Sequence, residues 1–301
     1  MRWKTRVTEL LGCEYPILQG AMSRIGNWKF AASVSAAGAL GCLNAAVSRT
    51  PEKLREDIGK LRETTSKPFE VNLTVGMCPH IDEMLDVCLE EGVDVIETSA
   101  FTADVYGKRI KEAGRKWIHK TATVKHALHA EKQGADALIL VGLEGAGIKN
   151  IAQLPTMTTI AWAAKQIKAP IIAAGGIGDA HTFLAALALG AEGVMMGTAF
   201  TATVESPVSQ RHKENMIRTV PHDPWLRKTV MPGADTQDYR ETMKKGVAPA
   251  IDTDDYAMES RSMSFAVAYV DHIPTVREVI GGIITGAEDI LASWEFLKGM
   301  T

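Results

Sequence analysis

Short apolar runs alternate with longer amphipathic stretches along the first two-thirds of the chain. Eight runs read as strands: Pro16–Gly20, Ala39–Asn44, Phe69–Thr74, Val93–Thr98, Lys116–Thr121, Ala135–Val141, Pro170–Ala174 and Gly193–Gly197. They are short and largely apolar on both faces, the pattern of parallel strands covered from both sides. Between them, apolar residues recur at helical spacing over Pro51–Arg62, His80–Glu91, Thr102–Ala113, Thr123–Gln133 and Asp179–Leu189. Thr50 suits an N-cap and Pro51 a first helical position. Gly92, Gly114, Gly134 and Gly190 stand where these helices should stop. The segments EEGVDVIE, KQGADALI and ALGAEGVM repeat one device: helix end, glycine, small residue or valine, acidic residue, strand. Parallel strands need crossovers, usually helical. Eight βα units at a spacing of roughly 23 residues are the arithmetic of an α/β (β/α)8 TIM barrel. A doubly wound sheet is the competitor, but it more often has fewer strands.

The stretch after the eighth strand breaks the rhythm. Residues 205–264 are more polar and hold the breaker clusters PHDP and MPG, so a small helical insertion, a lid or a packing element, is expected there. Residues 1–204 with 265–301 would form the barrel. Val276–Lys298 reads as a long amphipathic helix or helix pair that packs back on it.

Composition narrows the classes. The 301 residues allow one large barrel or two average domains. A hydrophobic content of 46% and a net charge of −3 exclude disorder for the bulk of the chain. They also give no reason to expect nucleic acid or an anionic membrane as partner. No apolar stretch has the length of a membrane span, and the N-terminus lacks an apolar signal core. Cys13, Cys42, Cys78 and Cys88 form no CxxC pair, so reduced thiols and a cytoplasmic location are expected. There is no HExxH and no ligand spacing for a metal.

The strongest chemical signal is Ala173-Ala-Gly-Gly-Ile-Gly-Asp179, with Gly197-Thr198 following at the end of strand eight. In barrels these two loops frequently hold a phosphate. Glycines let backbone N–H groups approach the oxygens, and a helix N-terminus adds a favourable dipole. Gly175, Gly176 and Gly197 are placed for this, and Thr198 can add a hydroxyl; two tight turns are the plainer alternative. Strand one ends Gln19-Gly-Ala-Met22, where small residues let a flat ligand lie against the backbone. Asn72 closes strand three and can bond a ring or a ribityl chain. Lys120 ends strand five, where a flanked cation needs an anionic partner. No GxGxxG follows strand one, so a nicotinamide would bind only transiently.

Taken together, PILQGAM, FEVNLT, IHKTATVKHALHAEKQGADAL, AAGGIGDAHTFLAALALGAEGVMMGTAF and IPTVREVIGGIITGAEDIL resemble the nitronate monooxygenase (2-nitropropane dioxygenase) family. That family also holds NADH:quinone reductases and flavin-dependent enoyl-acyl-carrier-protein reductases. The resemblance implies a TIM barrel with non-covalent FMN, a small-molecule substrate and a possible homodimer. It carries the phosphate role onto Gly175, Gly176, Gly197 and Thr198, with Ala174 and Met196 in the same strand ends. It puts the flavin ring near Ala21, Met22, Asn72, Lys120 and Gly147.

One departure matters. Where family members usually carry an active-site histidine, this chain has Ile148, in Glu144-Gly-Ala-Gly-Ile148. Isoleucine cannot transfer a proton. A pre-formed nitronate needs no deprotonation, and hydride transfer from NAD(P)H needs no protein base. The expected activity is therefore nitronate oxidation with O2 or, alternatively, NAD(P)H-dependent reduction of a quinone or enoyl thioester. A binding subunit that has lost its catalysis is a further alternative, and a phosphosugar isomerase-type barrel without flavin shares the phosphate loop. His80 could overhang the pocket as a substrate contact. His119, inside strand five, reads as packed or barrel-facing; His126 and His129 fall on the next helix, and His181 should face solvent. Glu144 reads as a site carboxylate or a backbone cap.

Overall fold

In the computed structural model, residues 3–150, 152–231 and 263–294 are described. All eight expected strands are present: β1 Ile17–Gln19, β2 Gly41–Asn44, β3 Phe69–Thr74, β4 Val95–Ser99, β5 Lys116–Thr121, β6 Ala137–Val141, β7 Ile171–Ala174 and β8 Gly193–Met196. They form one parallel sheet in the order β1-β8-β7-β6-β5-β4-β3-β2. A parallel bridge between Leu18 and Leu40 joins its two ends and closes the barrel.

The helices include α1 Arg6–Leu11, α2 Trp28–Ala36, α3 Ala45–Ser48, α4 Pro51–Thr64, α5 Ile81–Glu90, α6 Asp104–Glu112, α7 Val124–Lys132, α8 Thr156–Ala163 and α9 Ala180–Ala188. Five match the expected helices to within a few residues. The segments α1, α2, α3 and α8 were not foreseen. After β8 come α10 Thr198–Thr201, α11 Gln210–Arg218, α12 Pro224–Val230, a 3-10 turn at Phe265–Tyr269 and α13 Val276–Ser293. Residues 232–262, most of the expected insertion, and the end of the Val276–Lys298 helix lie outside the described residues. What is described of the insertion has its own small core, in which Met216, Leu226 and Val230 meet Met263 and Val267.

Side-chain alternation sorts each strand into two layers. Ile17, Leu43, Val71, Ile96, Trp117, Leu138, Ala173 and Val194 face the helices. Leu18, Leu40, Val95, Ile118, Ile139, Ile172, Ala174 and Met195 face inward. On β2–β5, however, many of the inward positions are polar. Cys42, Asn44, Glu70, Asn72, Thr74, Glu97 and Ser99 are all buried there. The barrel interior is thus apolar along β6–β8 and β1 and polar along β2–β5.

His119 falls in the outer layer beside Trp117. The Trp117 indole donates to Thr98 Oγ1 at 2.8 Å, and His119 Nδ1 meets the same hydroxyl at 2.8 Å. Burial pushes the His119 imidazole down to about 4, from an ordinary 6.5. Between those values the unfolded chain binds a proton that the folded chain refuses. The stabilisation is therefore complete above pH 6.5 and is lost as pH falls toward 4, about 3 kcal/mol in all. His119→Gln should flatten the fall in melting temperature between pH 7 and pH 4.5. A variant whose acid profile overlays the parent's would refute this.

Candidate functional site

Backbone strain is concentrated at the C-terminal mouth. The positive-φ non-glycine residues are Met22 (35°), Arg24 (81°), Arg49 (68°), His80 (50°) and Ala100 (82°), all in segments that follow β1–β4. Such residues cost of order 1–3 kcal/mol each and cluster where a site must be shaped. Gly147 (95°), Gly175 (99°) and Gly176 (75°) continue the ring after β6 and β7.

On the β1–β8 side, the Gly20 amide donates to the Met196 carbonyl at 2.8 Å, drawing the two strand ends together. The Asn44 amide donates to the Ala21 carbonyl at 3.0 Å, fixing the turn after β1. Met22 reaches back over β8, where its Sδ accepts from the Thr201 hydroxyl at 3.2 Å. The space above Gly197 is open: a Cβ there would meet only Met22, at 3.9 Å.

On the β6–β8 side, the loops pack backbone to backbone. A Cβ on Gly175 would stand 2.9 Å from the Gly145 nitrogen, and one on Gly176 would stand 3.0 Å from the Glu144 Cβ. Glu144 proves to be a cap: one carboxylate oxygen accepts from both the amide and the hydroxyl of Thr156, at the start of α8, at 2.8 Å each. Lys149 folds back and donates to the carbonyls of Leu143 and Gly145. Burial holds its amine down at about 8. This tied loop presents exposed Gly147 and half-buried Ile148. Thr198 Oγ1 bonds Ser264 Oγ at 2.8 Å and accepts from the Ser264 amide at 2.9 Å, while the Phe265 amide donates to the Glu144 carbonyl at 3.1 Å. Residues 264–265 therefore strap the β6 loop to the β8 loop.

On the polar side, Asn72, Thr74 and Ser99 form a closed triangle. Asn72 donates to Ser99 at 3.2 Å, Ser99 to Thr74 at 3.2 Å, and Thr74 to the Asn72 carbonyl at 2.8 Å. Lys120 is half-buried and pairs in register with Ser99.

Ala21, Met22, Asn72, Lys120, Gly147, Ile148, Ala174, Gly175, Gly176, Gly197 and Thr198 thus all stand at strand ends or in the following loops on one face of the barrel. Met196 is different: its side chain is buried in the outer layer, and only its carbonyl reaches the mouth. His80 is exposed at the head of α5, and its side chain makes no cap bond. His126 and His129 are exposed on α7, and His181 lies exposed beside Asp179. Sequence reasoning missed Ser264, whose partner lies 66 residues away, and the buried trio Cys42, Glu70 and Glu97. A lone glutamate at the inward parity of FEVNLT was the available signal.

Strand ends carrying glycine loops on one side and polar side chains on the other define a barrel enzyme with its site on the C-terminal face. The chain belongs to the nitronate monooxygenase family, whose model matches residues 4–230; it is an oxidoreductase of a flavin-dependent family. It is 34% identical over 219 residues to a (3aS,4S,5R,7aS)-5-hydroxy-7a-methyl-1-oxo-octahydro-1H-indene-4-carboxyl-CoA dehydrogenase of Mycobacterium tuberculosis, covering 72% of this chain and 61% of that one. A probable nitronate monooxygenase of Staphylococcus aureus is 32% identical, covering 72% of this chain and 73% of the other. FabK from Thermotoga maritima superposes with a TM-score of 0.85 at 33% identity, over 99% of both chains. Nitroalkane oxidase from Streptomyces ansochromogenes shares the fold, with a TM-score of 0.77 at 21% identity over 96% of this chain. No helix among the described residues is long and apolar enough to cross a membrane.

Proposed function

We propose that this chain is an FMN-dependent oxidoreductase that reduces an enoyl thioester with a hydride from NAD(P)H. The mouth fits the group. Gly197 leaves open space at the start of α10, where the first amides of a helix have no partner within it. Thr198 and Ser264 share one hydroxyl–hydroxyl bond, so one of their two protons is left to point at an anion. The backbones of Gly175 and Gly176 complete the phosphate cradle. Lys120 and Asn72 offer donors on the opposite side for the ring and ribityl chain, and Ala21 and Ala174 keep its faces clear. When bound, FMN supplies the redox chemistry.

The observation that carries the reading is Ile148. The loop after β6 carries Ile148 at the position where the family resemblance puts a proton-transfer histidine. Hydride transfer from NAD(P)H needs no protein base, and the proton that the thioester's α-carbon takes up on reduction comes from solvent, since Ile148 cannot supply it. One relative supports a thioester: it is named as a carboxyl-CoA dehydrogenase. The same Ile148 favours a second reading, oxidation of pre-formed alkyl nitronates with O2, because an anionic substrate needs no deprotonation.

Anaerobic mixing decides between them. The FMN of the loaded protein should be reduced by NAD(P)H, and reduced FMN should be reoxidised by an enoyl-CoA. Turnover of ethylnitronate with O2 and none of these reactions would replace the first reading by the second. Inertness to every donor would overturn both, leaving a binding subunit.

A further inference from the structure

Beneath the mouth lie three groups that the proposed chemistry does not use. Cys42, Glu70 and Glu97 are fully buried in the barrel interior. Across neighbouring strands, Cys42 pairs in register with Glu70, Asn72 with Glu97, and Ser99 with Lys120. These pairs form a polar staircase from the floor of the barrel up to Lys120. The Cys42 sulfur and one oxygen from each carboxyl all lie within 4.8 Å of one another.

The two carboxyls are not equivalent. Neither Glu70 oxygen meets a hydrogen-bond donor among the described residues. Glu97 keeps one oxygen within 3.9 Å of the Cys42 S–H. Asn72 and the Lys120 ammonium also favour its charged form. Two bare carboxylates side by side in this interior would be strongly disfavoured, since each loses its hydration and repels the other. One proton between them removes most of that cost. It belongs on Glu70, which then donates to Glu97 and finds the partner it otherwise lacks.

We propose that the two buried carboxyls share one proton: a proton-carrying Glu70 hydrogen-bonds an anionic Glu97, whose charge is balanced by the Lys120 ammonium on the neighbouring strand at the floor of the candidate cofactor site. The clause about the cofactor rests on the FMN reading above; the arrangement of proton and charge does not. Burial, then the Glu97 charge, raises the Glu70 carboxyl well above the usual range, and burial raises Glu97 while Lys120 draws it back. Burial keeps Cys42 a thiol, as it does Cys13, which feels Glu70 from the segment before β1. With both cysteines neutral, one proton and Lys120 balance the pair, and no metal ion is required.

Isosteric variants test the asymmetry. Glu70→Gln mimics the protonated acid and should leave FMN affinity and reduction potential within about twofold. Glu97→Gln removes the anion beneath the candidate cofactor site. It should favour the reduced cofactor about tenfold, a rise of about 30 mV for a two-electron couple. Infrared spectroscopy of the cofactor-free protein provides the second readout. A protonated-carboxyl band should be present at pH 7 in the parent and absent from Glu70→Gln. Equal effects of the two variants, absence of the band from the parent, or a stoichiometric metal lost from either variant would overturn the proposal. Should the protein bind no FMN at all, the functional reading falls, and the infrared band alone decides the carboxyl pair.

Discussion

Gly197→Asp is expected to fold as well as the parent and to lose FMN. Gly197 is the residue before α10, its φ of −111° suits any side chain, and a Cβ there meets nothing closer than 3.9 Å. The backbone there already lies in the right-handed region that ordinary side chains adopt, so aspartate adds little local strain. Its carboxylate would occupy the space assigned to the cofactor phosphate and repel it. Loss of two or more charge-assisted bonds amounts to about 3 kcal/mol or more, on the order of a hundredfold in affinity. Titration of the apoprotein with FMN and with riboflavin measures this. The variant should lose the preference for FMN while its melting temperature holds. Unchanged FMN affinity would move the phosphate elsewhere.

Trp117→Ala is expected to be the most damaging single truncation in the outer layer. The indole is fully buried, and α6 makes room for it with a glycine: a Cβ on Gly107 would stand 2.4 Å from the ring. Deleting the ring removes its contacts, leaves a cavity and deprives Thr98 of its donor. The cost is about 3–5 kcal/mol, or on the order of 10 °C in melting temperature. Gly107→Ala gives the same contact from the other side. In the parent it drives a methyl into the indole and destabilises. In Trp117→Ala the space exists, and the better helix propensity of alanine should make the same change stabilising by about 1 kcal/mol. A thermal double-mutant cycle reads that reversal of sign; additive effects would contradict the packing described.

The strands were legible because parallel strands covered on both faces are short apolar runs, and the glycine-acid-strand device repeats at three of the returns. Helix α8 was not. Its sequence TMTTIAWA is rich in β-branched residues and carries no charges to mark an outer face, so helical periodicity is faint. Its start is fixed instead by the Glu144 cap, a contact across 12 residues. The glycine loops could be read from sequence because glycine carries its conformational meaning alone. Met196 could have been assigned by parity, since Met195 faces inward and its neighbour must face out. The Glu70–Glu97 pair and the Thr198–Ser264 bond depend on strand register and on distant loops meeting, and neither leaves a local mark.

The visible absorption spectrum of the purified protein tests the central claim most directly. The account predicts a yellow protein with flavin bands, releasing about one FMN per chain on denaturation. A colourless protein that takes up no added FMN would contradict it.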